Sequence, residues 1–192
     1  MTATSLAINT PDLELASAIV ARDRKATARL VEMHSDQVHR YIWRRLSPKV
    51  DLVDDLVQEV FVAAWRGIRN YSGESPLQTW LLGIARNKVE DHYRKTLSVV
   101  LADLESEGES LSAPDADLDA AIDASGDADR AALVLAEMPP EYSTALRWRY
   151  WDARSAREMA AASGRSEKAV ERLLARARER FKTLWMGIEG RK

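Results

Sequence analysis

Residues 156 to 178 read Ala156-Arg-Glu-Met-Ala-Ala-Ala-Ser-Gly-Arg-Ser-Glu-Lys-Ala-Val-Glu-Arg-Leu-Leu-Ala-Arg-Ala-Arg178. A short Ala-rich segment permits close helix packing, Gly164 tolerates a positive φ, and Ser166 is a good N-cap for a second helix. Beyond that cap Val170, Leu173, Leu174, Ala177 and Phe181 recur at helical spacing and must face inward. Lys168, Glu171, Arg172, Ala175 and Arg176 are left on the other face. This is the layout of a helix-turn-helix, whose second helix can enter a major groove by its N-terminal half. Arginine there reads guanine or holds phosphate. A basic helix face alone is as readily a solvated surface. Here the coincidence of turn, cap and small-residue packing favours DNA binding.

Outward from this stretch nearly every periodic segment has helical spacing. Ala131 to Met138, Glu141 to Trp151, Ser155 to Ser163 and Ser166 to Trp185 make a four-helix domain, broken at Pro139-Pro140. Upstream, Ser106 to Asp129 is rich in Asp, Ser, Ala and Gly with almost no large apolar residues, as in a mobile linker. Further back, Leu15, Ile19, Leu30 and Met33 suit one or two amphipathic helices, and Val38, Tyr41, Ile42 and Leu46 continue the pattern to Pro48. Asp51 can cap a helix whose apolar stripe is Leu52, Leu56, Val57, Val60, Ala64 and Trp65. Gly67 to Pro76 reads as a loop, and Leu77, Trp80, Leu81 and Ile84 begin an inward face that gives way to the polar run Arg86 to Lys95. The expected fold is all-α: a helical domain over 1–97, an acidic linker over 98–130 and a second helical domain over 131–192.

The 192 residues carry a net charge of -2, which conceals a strong partition. Arg22 to Lys95 holds 14 Lys and Arg against 10 Asp and Glu, a net of +4, and Ala131 to Lys192 holds 13 against 8, a net of +5. Asp103 to Asp129 between them has 10 acids and no base. Two basic bodies joined by an acidic strap suit a nucleic-acid binder, because an electrostatic footprint is local. The chain has no cysteine, so disulfides and thiolate metal sites are excluded, which fits a reducing compartment. Met1 to Glu14 resembles no secretory signal, and no segment has the roughly 20 apolar residues of a membrane span. A cytoplasmic protein is expected. There is no phosphate-binding Gly-rich loop, and of His34, His39 and His92 the first two diverge on a helix, so no enzyme activity, metal or cofactor is expected.

A second motif narrows the function. Asp54-Asp-Leu-Val-Gln-Glu-Val-Phe-Val-Ala-Ala-Trp65, then Tyr71-Ser-Gly, then Trp80-Leu-Leu-Gly-Ile-Ala-Arg-Asn-Lys-Val-Glu-Asp-His-Tyr-Arg94 closely resembles the second conserved region of the extracytoplasmic-function sigma factors of RNA polymerase. The C-terminal domain resembles their fourth region, in the same order. On the Asp51 to Trp65 helix, Asp54, Asp55, Gln58 and Glu59 share a polar face opposite the apolar stripe. Spacing alone leaves a solvated face and a docking face equally open. The resemblance implies docking on the β′ clamp of core RNA polymerase, with the C-terminal domain near the β flap.

The resemblance further implies that the loop of Asn70, Tyr71, Ser72 and Gly73 pockets a base flipped from the minus-10 element, while Arg86, Asn87, His92, Arg94 and Lys95 contact bases or phosphates. Tyr71 is equally readable as a buried lid, and Trp80 as core. Minus-35 duplex would be read by Ser166, Lys168, Glu171, Arg172 and Arg176, with Glu171 suited to cytosine N4. The family often has Gly-Thr where Glu167-Lys168-Ala169 stands here, so this reading of the minus-35 element departs from the common pattern. The acidic linker is either a phosphate-like strap for a basic channel or a solubilising spacer. The implied function is promoter-specific transcription initiation, with core RNA polymerase and promoter DNA as partners and, for many members, an anti-sigma factor. A conventional helix-turn-helix regulator is the alternative, which leaves the Gln58-Glu59 helix without a purpose.

Overall fold

The structure, a computed structural model, describes residues 10–46, 50–106 and 128–189. Met1 to Asn9, Pro48 and linker residues 107–127 lie outside the described residues. All described regular structure is helical: α1 Thr10–Val20, α2 Arg24–Leu46, α3 Val50–Gly67, α4 Leu77–Ser106, α5 Ala128–Glu137, α6 Pro140–Tyr150, α7 Ala156–Ser163 and α8 Glu167–Glu189. A single 3-10 turn, Ile68–Asn70, follows α3. The chain divides into two compact units, residues 1–90 and 91–192.

In the first unit α2 packs on α3, and α1 packs on α2 and on the 3-10 turn. The turn between α1 and α2 holds Arg22 at φ 64, and the Asp23 carboxylate accepts from the Lys25 N–H at 2.8 Å, capping α2. Ile19, Leu30, Val38, Ile42, Leu46, Val53, Leu56, Val60 and Ala64 form the core together with Leu77, Leu81 and Ala85 of α4. Two expected core residues are corrected. Met33 is 50% exposed and Trp65 is 53% exposed. The inward positions go instead to the next residue in one case, the buried His34, and to Ala64 in the other, because successive helical residues turn by about 100° and one position decides the face. Helix α3 begins at Val50, which places Asp51 inside its first turn rather than at the cap.

The larger correction concerns α4, which runs to Ser106 rather than ending near Lys95. Val89, Tyr93, Leu97, Leu101 and Leu104 are all buried, so a stripe at steps of four and three threads the polar run. Residues 98–106, expected at the start of the linker, are helical. In the second unit the Tyr93 ring lies 5.7 Å from that of Trp148 at a 50° tilt, both fully buried.

Helices α5, α6 and α7 each pack on α8, whose Val170, Leu173, Leu174, Ala177 and Phe181 are buried as the sequence requires. Ser155 Oγ accepts from the Glu158 N–H at 3.2 Å, and Glu158 Oε2 accepts from the Ser155 N–H at 2.8 Å, a reciprocal capping box at the start of α7. Gly164 ends α7 at φ 66, and the Ser166 hydroxyl accepts from the Ala169 N–H at 3.2 Å to cap α8. The Ser155 N–H and hydroxyl hold the Glu158 carboxyl below its ordinary value of 4.5. A carboxyl whose folded value is depressed stabilises above its unfolded value and loses that contribution as pH falls through the folded one. Ser155→Ala is expected to cost about 1 kcal/mol near neutral pH. Urea unfolding of both chains at pH 7 and pH 3 checks this, the difference shrinking at the lower pH.

Candidate functional site

Helix α3 turns Val53, Leu56, Val60 and Ala64 inward, which leaves Asp54, Asp55, Gln58 and Glu59 exposed together on its outer side. The face has a basic border: Lys88 Nζ of α4 donates to Glu59 Oε2 at 2.8 Å, and His39 Nε2 of α2 stands 3.6 Å from Asp54 Oδ1. Asp55, Gln58, Glu59, Val62, Arg66 and Lys88 line a shallow groove there. Val62 and Trp65 are both exposed, so carboxylates and an unburied apolar edge share one helix. Such a surface suits a partner helix that brings cations and an apolar strip.

The loop after the 3-10 turn divides its residues. Asn70 and Ser72 are exposed, whereas Tyr71 and Gly73 are buried. The Tyr71 ring is 7% exposed and leans on Trp80 with centroids 5.6 Å apart; its hydroxyl donates to the Ser75 carbonyl at 2.6 Å. Burial, with the nearby Asp12 carboxylate adding to it, pushes the Tyr71 phenol above its ordinary value of 10.0. Tyr71 is therefore a lid on the core and offers no stacking face here, and Gly73 contributes backbone only. Arg86 and Asn87 stand exposed on α4 within the first unit.

His92, Arg94 and Lys95, farther along α4, belong to the second unit. Arg94 and Lys95 are exposed; Arg94 pairs with Asp91, and His92 Nε2 lies 3.3 Å from the Thr96 hydroxyl. On α8, Lys168, Glu171 and Arg176 are exposed, as is the capping Ser166. Two residues that sequence reasoning passed over, Glu105 and Arg165, meet at the start of that helix. Glu105 Oε1 accepts from the Ser166 N–H at 2.7 Å, and its Oε2 accepts from Arg165 Nη1 at 3.2 Å. Arg172 Nη1 in turn donates to the Leu104 carbonyl in the last turn of α4 at 2.6 Å, one of the carbonyls the helix end leaves without an intrahelical partner, and Arg165 Nη2 donates to that of Ser98, farther back in the helix, at 3.4 Å. The Ser166 N–H, followed by Arg165, holds the Glu105 carboxyl below its ordinary value. No local signal marks this contact, since 60 residues separate the partners.

Two all-helical units, the second built on a capped helix-turn-helix, define a protein of the DNA-binding class, and α3 of the first unit carries an exposed acidic face. The pattern described as Sigma-70 region 2 matches residues 30–98, and that described as Sigma-70, region 4 matches residues 129–181. The chain belongs to the sigma-70 family, as a sigma factor of the extracytoplasmic-function group. The ECF RNA polymerase sigma factor BldN of Streptomyces coelicolor is 30% identical over 172 residues, covering 86% of this chain and 62% of that protein. The ECF RNA polymerase sigma factor SigC of Mycobacterium tuberculosis is 35% identical over 89 residues, 45% of this chain and 48% of its own. The solved structure of CnrH in complex with the cytosolic domain of CnrY aligns with a TM-score of 0.41 at 26% identity, covering 90% of this chain and 96% of that one. The chain thus spans 62% of the length of the first relative and about half of the second. Among the described residues no helix is long and apolar enough to cross a membrane.

Proposed function

We propose that the protein binds core RNA polymerase through the α3 face and directs promoter-specific initiation, with the first unit reading melted minus-10 DNA and the helix-turn-helix reading minus-35 duplex. The observation that carries this reading is the pairing, in one chain, of the exposed Asp54, Asp55, Gln58 and Glu59 face with a helix-turn-helix. A free-standing DNA-binding regulator has no need of the former. The acidic face would meet a basic helix of the β′ clamp, where exposed Val62 and Trp65 supply an apolar centre and the carboxylates supply orientation.

Asn70 and Ser72 present short polar groups beside the loop, and Arg86 and Asn87 present donors on α4. Short donors and acceptors suit a base held outside the stack, while arginine suits the backbone that carries it. Lys168, Glu171 and Arg176 are the residues of α8 open to a groove, and Ser166 and Arg172 join them once their present partners on α4 are exchanged for phosphate. Selectivity comes from linking two weak readers at a fixed spacing, so that neither unit alone chooses a promoter.

The deciding experiment is equilibrium binding of the purified chain to core RNA polymerase, wild type against an Asp55→Arg, Gln58→Ala double variant. The variant is expected to bind core about tenfold more weakly or worse, as for central interface residues, with duplex DNA binding unaltered. A wild-type chain that binds duplex DNA but not core would replace this reading with that of a conventional helix-turn-helix regulator.

A further inference from the structure

The base-reading loop does not hold its own shape; α1 holds it. Helix α4 starts at Leu77, and the Pro76 carbonyl accepts the first intrahelical bond, from the Trp80 N–H at 3.1 Å. Pro76 therefore sits at the N-cap, yet it has no side-chain acceptor for the amides of the first turn. The acceptor comes instead from 65 positions upstream: Asp12 Oδ2 takes the Leu77 N–H at 2.7 Å. A carboxylate at that end also opposes the positive pole of the helix. The same oxygen stands 3.5 Å from the Tyr71 hydroxyl, whose single proton goes to the closer Ser75 carbonyl.

The neighbouring residue of α1 closes the loop from the other side. Gly73 takes φ +76, and a Cβ there would lie 2.9 Å from Leu13 Cγ and Cδ1. Only a residue with no side chain allows Leu13 this close. Between the Asp12 contact at Leu77 and the Leu13 contact at Gly73, the loop backbone is fixed at both ends. Tyr71 plugs its underside, leaving Asn70, Ser72 and Glu74 as the groups turned outward.

We infer that Asp12 is a positioning residue for base capture: by capping α4 from α1 it sets the loop that presents Asn70, Ser72 and Glu74 to an extruded base. The inference rests on the minus-10 reading proposed above and adds to it a residue that touches no DNA. An Asp12→Ala chain leaves the Leu77 N–H without this acceptor and frees the loop from α1. An Asp12→Asn chain keeps an amide oxygen for the same N–H and loses only the charge.

The test uses the full chain with core RNA polymerase and a pool of fork-junction DNA whose non-template single strand is randomised across the melted segment. Three chains are compared: wild type, Asp12→Ala and Asp12→Asn. Bound molecules are sequenced for base preference, and core affinity is measured in parallel. Wild type is expected to enrich one base at one position. In Asp12→Ala that enrichment falls by about fivefold, the factor that loss of one helix-capping acceptor corresponds to, while core affinity stays within about twofold. Asp12→Asn recovers most of the preference. Equal enrichment in wild type and Asp12→Ala overturns the positioning role and leaves the parent reading intact. No enrichment by wild type overturns both. Loss of core affinity along with base preference in Asp12→Ala, unrescued in Asp12→Asn, shows a general structural role and also overturns the inference.

Discussion

Trp148→Ala is expected to lower stability by about 3–5 kcal/mol, the cost of emptying a large aromatic site in a close-packed core. Trp148 is 1% exposed in the last turn of α6, and the Tyr93 ring of α4 tilts against it at 5.7 Å. That contact gives the substitution diagnostic value. If the later half of α4 belongs to the core of the second unit, Tyr93→Ala and Trp148→Ala share an interaction, and the double variant falls short of additivity by about 0.5–1.5 kcal/mol. Denaturant unfolding of the four chains of the cycle measures it. Strict additivity would mean that α4 does not contribute Tyr93 to that core.

Gly73→Ala carries the second large effect. At φ +76 an alanine carries backbone strain of about 1–2 kcal/mol. Its Cβ would also meet Leu13 at 2.9 Å, and forcing an extra methyl into a packed site costs a further 1–3 kcal/mol, roughly. The two contributions separate cleanly. In a Leu13→Ala background the steric part is relieved and the backbone part remains, so the same substitution should cost distinctly less there. An equal cost in both backgrounds would remove Leu13 from the account.

How far the sequence spoke depended on how local the physics was. The helix-turn-helix is legible in its turn, its second cap and its inward stripe, because Gly164, Ser166 and the Val170 to Phe181 positions each act within a few residues of themselves. The acidic face of α3 was legible for the same reason, as a consequence of period 3.6. The sequence reads α4 too short: Val89 and Tyr93 lie in a run of Arg, Lys, Glu and Asp whose charges hide the inward line that Leu97, Leu101 and Leu104 continue. Met33 and Trp65 read as members of apolar stripes at helical spacing, but each stands one position away from the inward line, which His34 and Ala64 occupy. The sequence leaves the burial of Tyr71 open as one of two readings, whereas the Asp12 cap on α4 and the Glu105 contact with Ser166 are out of its reach. Both contacts join residues far apart in the chain, and nothing near either partner announces the other.

That last contact has a consequence for how the second unit meets a polyanion. Glu105 already occupies the amide end of α8, bonded to the Ser166 N–H and to Arg165. A phosphate arriving there exchanges one anion for another, and its rival is tethered to the same chain at an effective concentration in the millimolar range, as for short linkers. The net gain is the difference between two anions rather than the whole attraction of the site. Fewer small ions are then released than the exposed cations alone would predict, and the dependence of duplex affinity on salt becomes correspondingly shallower.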